Sequence, residues 1–132
     1  MRYVVADALE MTTELEPQLR VQEVARRFMY VISAQPPFQR LLEQEPEAAL
    51  RIMTSKHGPI QSYLVATIKY ILLSGGVHLA MDVHELSYII VRIGESFMYA
   101  DVIADAEPNL DFAAELIGRL LKSCIDEEPS PD

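Results

Sequence analysis

Apolar residues recur along most of the chain at spacings of three and four positions, and prolines and glycines fall between these periodic segments. This spacing is typical of α-helices that bury one face. The pattern therefore predicts an all-α fold, an antiparallel bundle of about six helices. The longer segments run from about Tyr3 to Leu15, Gln18 to Ser33, Ile60 to Ser74, Asp82 to Asp105 and from Asn109 onward, with short ones at Pro37 to Glu45 and Glu47 to Ser55.

Residues at the ends of these segments support the helix assignments. Asp82 is followed three positions later by Glu85, which is the pattern of a capping box, and Asn109 is an expected N-cap for the last helix. Gly75-Gly76 is expected to end the helix before it. The first helix has no capping residue and begins directly after Met1, which indicates a segment cut from a longer helix.

A chain of 132 residues with 50% apolar composition can bury one core without disulfides or metal. We therefore expect a single domain over residues 1–125, followed by a disordered acidic tail over residues 126–132. The only cysteine, Cys124, lies among leucines and is expected to be buried and inert. No apolar run is long enough to span a membrane. Asp7 and Glu10 interrupt the first apolar stretch, which argues against a secretory signal and predicts a cytoplasmic protein.

The formal net charge of -9 argues against direct binding of nucleic acid. A chain this acidic repels a phosphate backbone, and no local cluster of lysine and arginine offsets the repulsion.

Two regions of the chain resemble the C-terminal domains of TetR-type transcription regulators. The first contains Glu45–Arg51 (EPEAALR) and Thr54–Gln61 (TSKHGPIQ), and the second is Val91–Asp101 (VRIGESFMYAD). They look most like the branch named for control of quorum-signal degradation. The resemblance extends from about Gln22 to Leu121 and includes the Glu107-Pro108 turn.

The resemblance implies a domain that binds a small, mostly apolar effector and forms a homodimer. In that family a helix-turn-helix domain precedes this region, and residues 1–15 resemble the remnant of the helix that links the two. We therefore expect DNA contact only through an N-terminal domain that is missing from this chain, and no membrane partner. Acyl-lactones are the first effectors to screen by analogy.

In the family, the last two helices pack against their mates in a four-helix dimer interface. Wide apolar faces and small residues on both segments independently favour close helix packing between subunits. A monomer whose wide faces are all internal is the alternative. The candidate interface residues are Ile93, Ala100, Ala104, Ala113, Leu116, Ile117, Leu120 and Leu121.

The most informative polar group is Arg92, Glu95, Ser96 and Tyr99, because this spacing aligns four polar side chains on one stripe of an apolar helix. Arg92 offers a fixed fork to a carboxylate or lactone carbonyl, and Glu95 accepts from an amide or hydroxyl. The simpler alternative is that Arg92 and Glu95 pair with each other or across the dimer.

Further ligand candidates lie on other segments. Tyr63 and Tyr70 share one face of their helix near Gln61, although core packing with the hydroxyl at the surface is the plainer interpretation. Three apolar candidates for the wall of a cavity, which ordinary core residues would equally resemble, are Phe28, Met53 and Phe97.

Metal, cofactor and enzyme chemistry are not expected. His78 and His84 have no histidine or cysteine partner at helical spacing. Gly94–Met98 begins like a nucleophile elbow but has Met98 in place of the closing glycine and lies inside a predicted helix. The Lys56–Pro59 segment is either a hinge or a solvated turn.

The leading hypothesis is therefore an effector-sensing and dimerisation domain, with a cavity between the Gln18, Ile60 and Asp82 helices. The alternative is a standalone helical interaction module that binds no ligand and forms homo- or heterodimers.

Overall fold

The computed structural model describes residues 2–56, 58–100 and 107–125, and every regular element within these ranges is helical, as predicted. The described residues form seven α-helices, one in each of the segments named above, and one π-helical segment. The predicted tail and candidate Ala104 lie outside the described ranges. The helices are α1 (Arg2–Met11), α2 (Pro17–Ser33), α3 (Pro36–Gln44), α4 (Pro46–Met53), α5 (Pro59–Ser74), α6 (Val83–Glu95) and α7 (Leu110–Cys124), and the π-helical segment is Ser96–Ala100.

Helix starts follow the residues that marked them in the sequence. Four helices, α2 to α5, open on a proline, whose missing N–H is not needed in the first turn. Asp82 caps α6 by accepting a hydrogen bond from the Glu85 amide at 3.0 Å. Asn109 caps α7 by accepting one from the Phe112 amide at 3.1 Å. The two predicted N-caps are thus confirmed.

The end of α5 requires glycine for two different reasons. A Cβ at Gly75 would lie 2.5 Å from Cγ2 of Val21, so the close approach of α5 to α2 requires a residue without a side chain at this position. Gly76 has a φ of 80°, the left-handed conformation that ends helices. The Gly75-Gly76 cap is confirmed.

The first helix ends at Met11, so the predicted end at Leu15 is wrong. The Thr12 hydroxyl donates to the Ala8 carbonyl at 2.7 Å, and Arg20 of α2 donates to the Leu9 carbonyl at 2.7 Å. These side chains satisfy carbonyls that a further helical turn would have used. The helix therefore stops where a contact from another part of the chain replaces its own hydrogen bonds.

Helix α2 lies at the centre of the fold and packs most extensively against α7, while α5 packs against α6 and α1 rests on α2 and α5. The Gln18 side chain fastens α2 to α7 by donating to the Gly118 carbonyl at 3.0 Å. Ala80, just before α6, donates to the carbonyl of Cys124 at the end of α7 at 2.8 Å. Because the start of α6 meets the end of α7, these two helices run antiparallel.

The predicted long helix from Asp82 does not remain α-helical to Asp105. Its α-helical part ends at Glu95 and continues as the π-helical segment, and residues 101–106 lie outside the described ranges. A π-helix has a wider turn than an α-helix, so side chains after Glu95 no longer follow the spacing of α6.

Candidate functional site

Arg92 connects α6 to the end of α4 through a cluster of hydrogen bonds. Its Nε donates to the Tyr88 hydroxyl at 3.0 Å, and its Nη1 donates to the Thr54 carbonyl at 3.2 Å and to Glu95 Oε2 at 3.3 Å. Thr54 is the residue directly after α4. The guanidinium therefore holds three groups from two helices in one place.

Glu95 is the buried partner in this cluster, with 4% of its surface exposed. Burial raises the pKa of the Glu95 carboxyl, and the Arg92 guanidinium opposes that rise. Burial, with the nearby Glu95 charge, likewise raises the pKa of the Tyr99 hydroxyl. The Tyr88 hydrogen bond contributes most to raising the pKa of Arg92. In this conformation Arg92 and Glu95 pair with each other, which was the simpler of the two alternatives considered for them from the sequence.

Two cationic side chains lie near the Tyr88 ring. The Lys56 ammonium lies 5.6 Å from the ring centroid and the Arg92 guanidinium lies 5.2 Å from it. Both distances are within the range of cation–π attraction. Neither Tyr88 nor Lys56 was among the predicted site residues. Tyr88 had a usable signal, because it precedes Arg92 by four positions on the same helical stripe.

A groove of about 670 Å³ runs between α5 and α6 beside this cluster. Its volume is in the range of sites for small organic molecules. Polar and charged side chains occupy both ends, and apolar side chains lie between them. The lining residues are Lys56, Gln61, Ser62, Val65, Ala66, Lys69, His84, Glu85, Tyr88 and Ile89.

Gln61 is the unusual residue of this groove, because it is only 2% exposed and its amide is unpaired. Neither Nε2 nor Oε1 has a hydrogen-bond partner among the described residues. Buried amides are nearly always hydrogen-bonded, since leaving one unpaired is unfavourable. Gln61 thus lines the groove, and its amide has one donor group and one acceptor that are both buried and without partners.

The cavity expected between α2, α5 and α6 is much smaller than an effector requires. Its position is as predicted, but its volume is only about 20 Å³. That volume holds about one water molecule. Phe28 lines it, together with Met29, Met98 and other apolar side chains. In this conformation, space for an organic molecule lies in the α5–α6 groove.

Among the predicted polar site residues only Gln61 lines the groove, and Ser96, Tyr63 and Tyr70 belong neither to the groove nor to the cluster around the Arg92 guanidinium. Tyr99 is buried, with its ring against that of Phe38. Ser96 is exposed, and its hydroxyl donates to the Arg92 carbonyl four residues earlier at 2.9 Å. Tyr63 and Tyr70 are 48% and 53% exposed. They share a face of α5, as predicted, but that face points away from both the core and the groove, so neither a pocket wall nor a core position fits them.

The two remaining apolar candidates, Met53 and Phe97, also lie away from the groove. Met53 is 5% exposed and belongs to the core near the end of α4, apart from both cavities. Phe97 is half-buried, and the centroid of its ring lies 5.8 Å from that of the Phe112 ring of α7, with the two rings nearly perpendicular. Phe97 therefore joins the π-helical segment to α7 instead of lining the groove.

The candidate dimer residues fall into two groups. Ala113, Ile117 and Leu121 are at most 1% exposed and pack inside the subunit, so their assignment to a dimer surface is corrected. They follow the inner face of α7 because α2 covers it. Ile93, Leu116 and Leu120 are partly exposed and stay available, and the side chain of Ala100 lies outside what the structure describes.

Exposure and helical spacing define an outer apolar face on α6, the π-helical segment and α7. Its members recur every four residues along α6 and along α7, which places them on one side of each helix. Phe97 of the π-helical segment joins them through its ring contact with Phe112. Ile89 and Phe112 are 40% and 42% exposed, and the others are half-buried. The outer apolar face consists of Ile89, Ile93, Phe97, Phe112, Leu116 and Leu120.

Within the described ranges, no group of three or more histidine, cysteine, aspartate or glutamate side chains is arranged to hold a metal ion. None of the helices described is both long and apolar enough to cross a membrane.

Comparison with protein families found one match that covers most of the chain. The family model described as "Tetracyclin repressor-like, C-terminal domain" matches residues 18–122. This range includes α2 to α7 and therefore the groove, the Arg92 cluster and the outer apolar face. Neither the curated proteins nor the solved structures gave a match.

Proposed function

The chain belongs to the tetracyclin repressor-like C-terminal domain family, and from this premise we propose that it is the effector-sensing and dimerisation domain of a transcription regulator. The observation that carries the sensing role is the α5–α6 groove, which combines about 670 Å³ of space with a buried, unpaired amide. Small-molecule sites combine apolar surface with polar groups that fix the orientation of the ligand, and the lining of this groove offers both.

The second part of the proposal is that the outer apolar face forms the dimer interface. Exposed apolar side chains that form a continuous patch usually mark a contact surface. Ile89 belongs both to this face and to the wall of the groove. An occupant of the groove therefore touches a helix that also contributes to the interface, and differential affinity for two arrangements of α6 would couple the two sites.

Ligand binding is tested by thermal unfolding in the presence of a panel of acyl-lactones and medium-chain acids. A ligand at about one hundred times its dissociation constant stabilises the domain by about 2.7 kcal/mol, which raises the melting temperature measurably. A panel in which no compound raises it, together with a purified protein whose native mass spectrum carries no small molecule, would refute the sensing role.

Dimerisation is tested by sedimentation velocity over a range of concentrations. The double change Leu116→Glu and Leu120→Glu places two carboxylates in the outer apolar face, so we expect the dimer to weaken by about thirtyfold or more. Lys122→Glu is the matched control, since it changes the net charge of α7 by the same amount at an exposed position away from the face. Equal effects of the control and the double change would reject the interface.

A further inference from the structure

The α5–α6 groove differs in charge from the rest of the chain. Its lining contains two lysines, Lys56 and Lys69, and one glutamate, Glu85, whereas the chain as a whole carries a formal net charge of -9. A concave surface lined by an excess of one charge favours small ions of the opposite charge. The groove is thus suited to a ligand with one negative charge.

The two ends of the groove are not equivalent. Lys69 shares its end with Glu85, so the ammonium has a carboxylate among the lining residues there. At the other end, Lys56 lies over the Tyr88 ring and shares the lining with Gln61. Gln61 carries no charge to neutralise the ammonium. The end formed by Lys56, Gln61 and Tyr88 is therefore the one suited to an anion.

Gln61 adds a second requirement to the anion. Its Nε2 donates and its Oε1 accepts, and both lack partners among the described residues. A simple carboxylate accepts from Nε2 but leaves Oε1 unpaired, because an ionised carboxylate has no hydrogen to donate. The head of the ligand must therefore also carry an N–H or O–H donor close to its negative group.

The middle of the groove determines the character of the ligand beyond its polar head. Val65, Ala66 and Ile89 supply an apolar wall between the two polar ends. From Gln61 to Lys69 the helix advances about 12 Å, at 1.5 Å for each residue. An alkyl chain of medium length fits this distance.

We propose that the α5–α6 groove binds an N-acyl amino acid, in which a free carboxylate, an adjacent amide and an apolar chain occur in one molecule. The carboxylate lies at Lys56, the amide N–H donates to Gln61 Oε1, and Gln61 Nε2 donates to an oxygen of the head group. The acyl chain lies along Val65, Ala66 and Ile89. This inference rests on the proposed sensing function and specifies its ligand class.

The proposal is tested by isothermal titration with three related compounds, N-decanoylglycine, its methyl ester and decanoate. The ester lacks the negative charge, and decanoate lacks the amide donor. We expect N-decanoylglycine to bind about tenfold or more tightly than either of the others, since the ester loses the ion pair with Lys56 and decanoate loses the hydrogen bond to the buried Gln61.

Variants assign the binding to the groove. Gln61→Met and Lys56→Met should each weaken binding of N-decanoylglycine by about tenfold, and Lys56→Met should have little effect on binding of the ester. Lys122→Met is the control, because it removes the same charge from an exposed position on α7. In the wild-type protein, the side-chain NH₂ resonances of Gln61, assigned by their loss in Gln61→Met, should shift when the ligand is added.

Two outcomes overturn the proposal. Equal affinity for the three compounds would show that neither the charge nor the donor contributes to binding. Unchanged affinity in both Gln61→Met and Lys56→Met would show that the ligand does not bind in the groove. If acyl-lactones still raise the melting temperature in either case, the sensing function stands and only the ligand class or site is wrong. If no compound of either class binds and the native mass spectrum of the purified protein carries no small molecule, both proposals fail.

Discussion

Replacing Gln61 by methionine should stabilise the unliganded domain, although methionine is of similar size and forms no new hydrogen bond. The change removes the unpaired Nε2 and Oε1 and keeps an unbranched side chain of similar size. Glutamine and methionine have nearly equal helix propensities, so the backbone of α5 contributes little to the difference. The effect therefore measures the desolvation penalty of the amide.

The size of the effect follows from the burial of Gln61. A buried polar group without a partner is unfavourable by about 1–3 kcal/mol in proteins. Because only 2% of Gln61 is exposed, we expect a gain in the free energy of unfolding of about 2 kcal/mol, near the middle of that range. For a domain of this length, such a gain raises the melting temperature by roughly 6–10 °C.

Urea unfolding at a fixed protein concentration is the assay, because association of subunits also contributes to stability. The midpoint should rise with an unchanged slope. Gln18→Met is the matched control, since the Gln18 amide donates to the Gly118 carbonyl at 3.0 Å and its loss should destabilise the domain by about 1 kcal/mol. A loss of stability in Gln61→Met similar to that in Gln18→Met would refute the reasoning, because it would mean that the Gln61 amide is hydrogen-bonded in the folded protein.

Two further predictions concern the buried carboxylate and the end of α5. Because burial raises the pKa of Glu95, the folded state holds that proton more tightly, and stability is lost as the pH rises from the unfolded pKa through the folded one. The stability of Glu95→Gln relative to wild type should therefore increase with pH across that window, and a difference that does not vary with pH would contradict this. Glu23, whose pKa is lowered to about 2, has the opposite effect on stability, but it is present in both proteins and its contribution cancels in the difference. Gly76→Ala should destabilise the domain by about 1–2 kcal/mol in urea unfolding because of the φ of 80°, and Gly76→Asn should lose less because asparagine tolerates this conformation better.

The helices were predictable from the sequence because their signals are local. Apolar spacing located each segment, and Asp82 and Asn109 act as caps through hydrogen bonds to amides three residues away. The errors arose where distant or subtle effects decide the structure. Arg20 of α2 satisfies the Leu9 carbonyl and helps α1 to end early, and no residue pattern marked the change to a π-helix at Ser96.

The site was predictable only in part, since sequence spacing shows which residues share a face but not which face is buried. Tyr63 and Tyr70 share a face of α5, yet apolar residues surround most of that helix and conceal which side faces the core. Gln61 was a candidate because of its position near the start of α5. That its amide is buried without a partner depends on α6 lying beside α5, and this is a property of the tertiary structure alone.

Tyr88 belongs to both the groove and the Arg92 cluster, and this determines which variants can distinguish a binding role from a structural one. Its ring lines the groove and contacts Lys56, while its hydroxyl accepts from Arg92, which in turn holds Glu95 and the carbonyl after α4. A change at Tyr88 or Arg92 disturbs stability and the groove together. The Gln61 amide has no hydrogen-bond partner among the described residues, and Lys56 is exposed. Loss of binding on changing these two residues, in a protein that is as stable as wild type or more so, can therefore be attributed to the ligand contact itself.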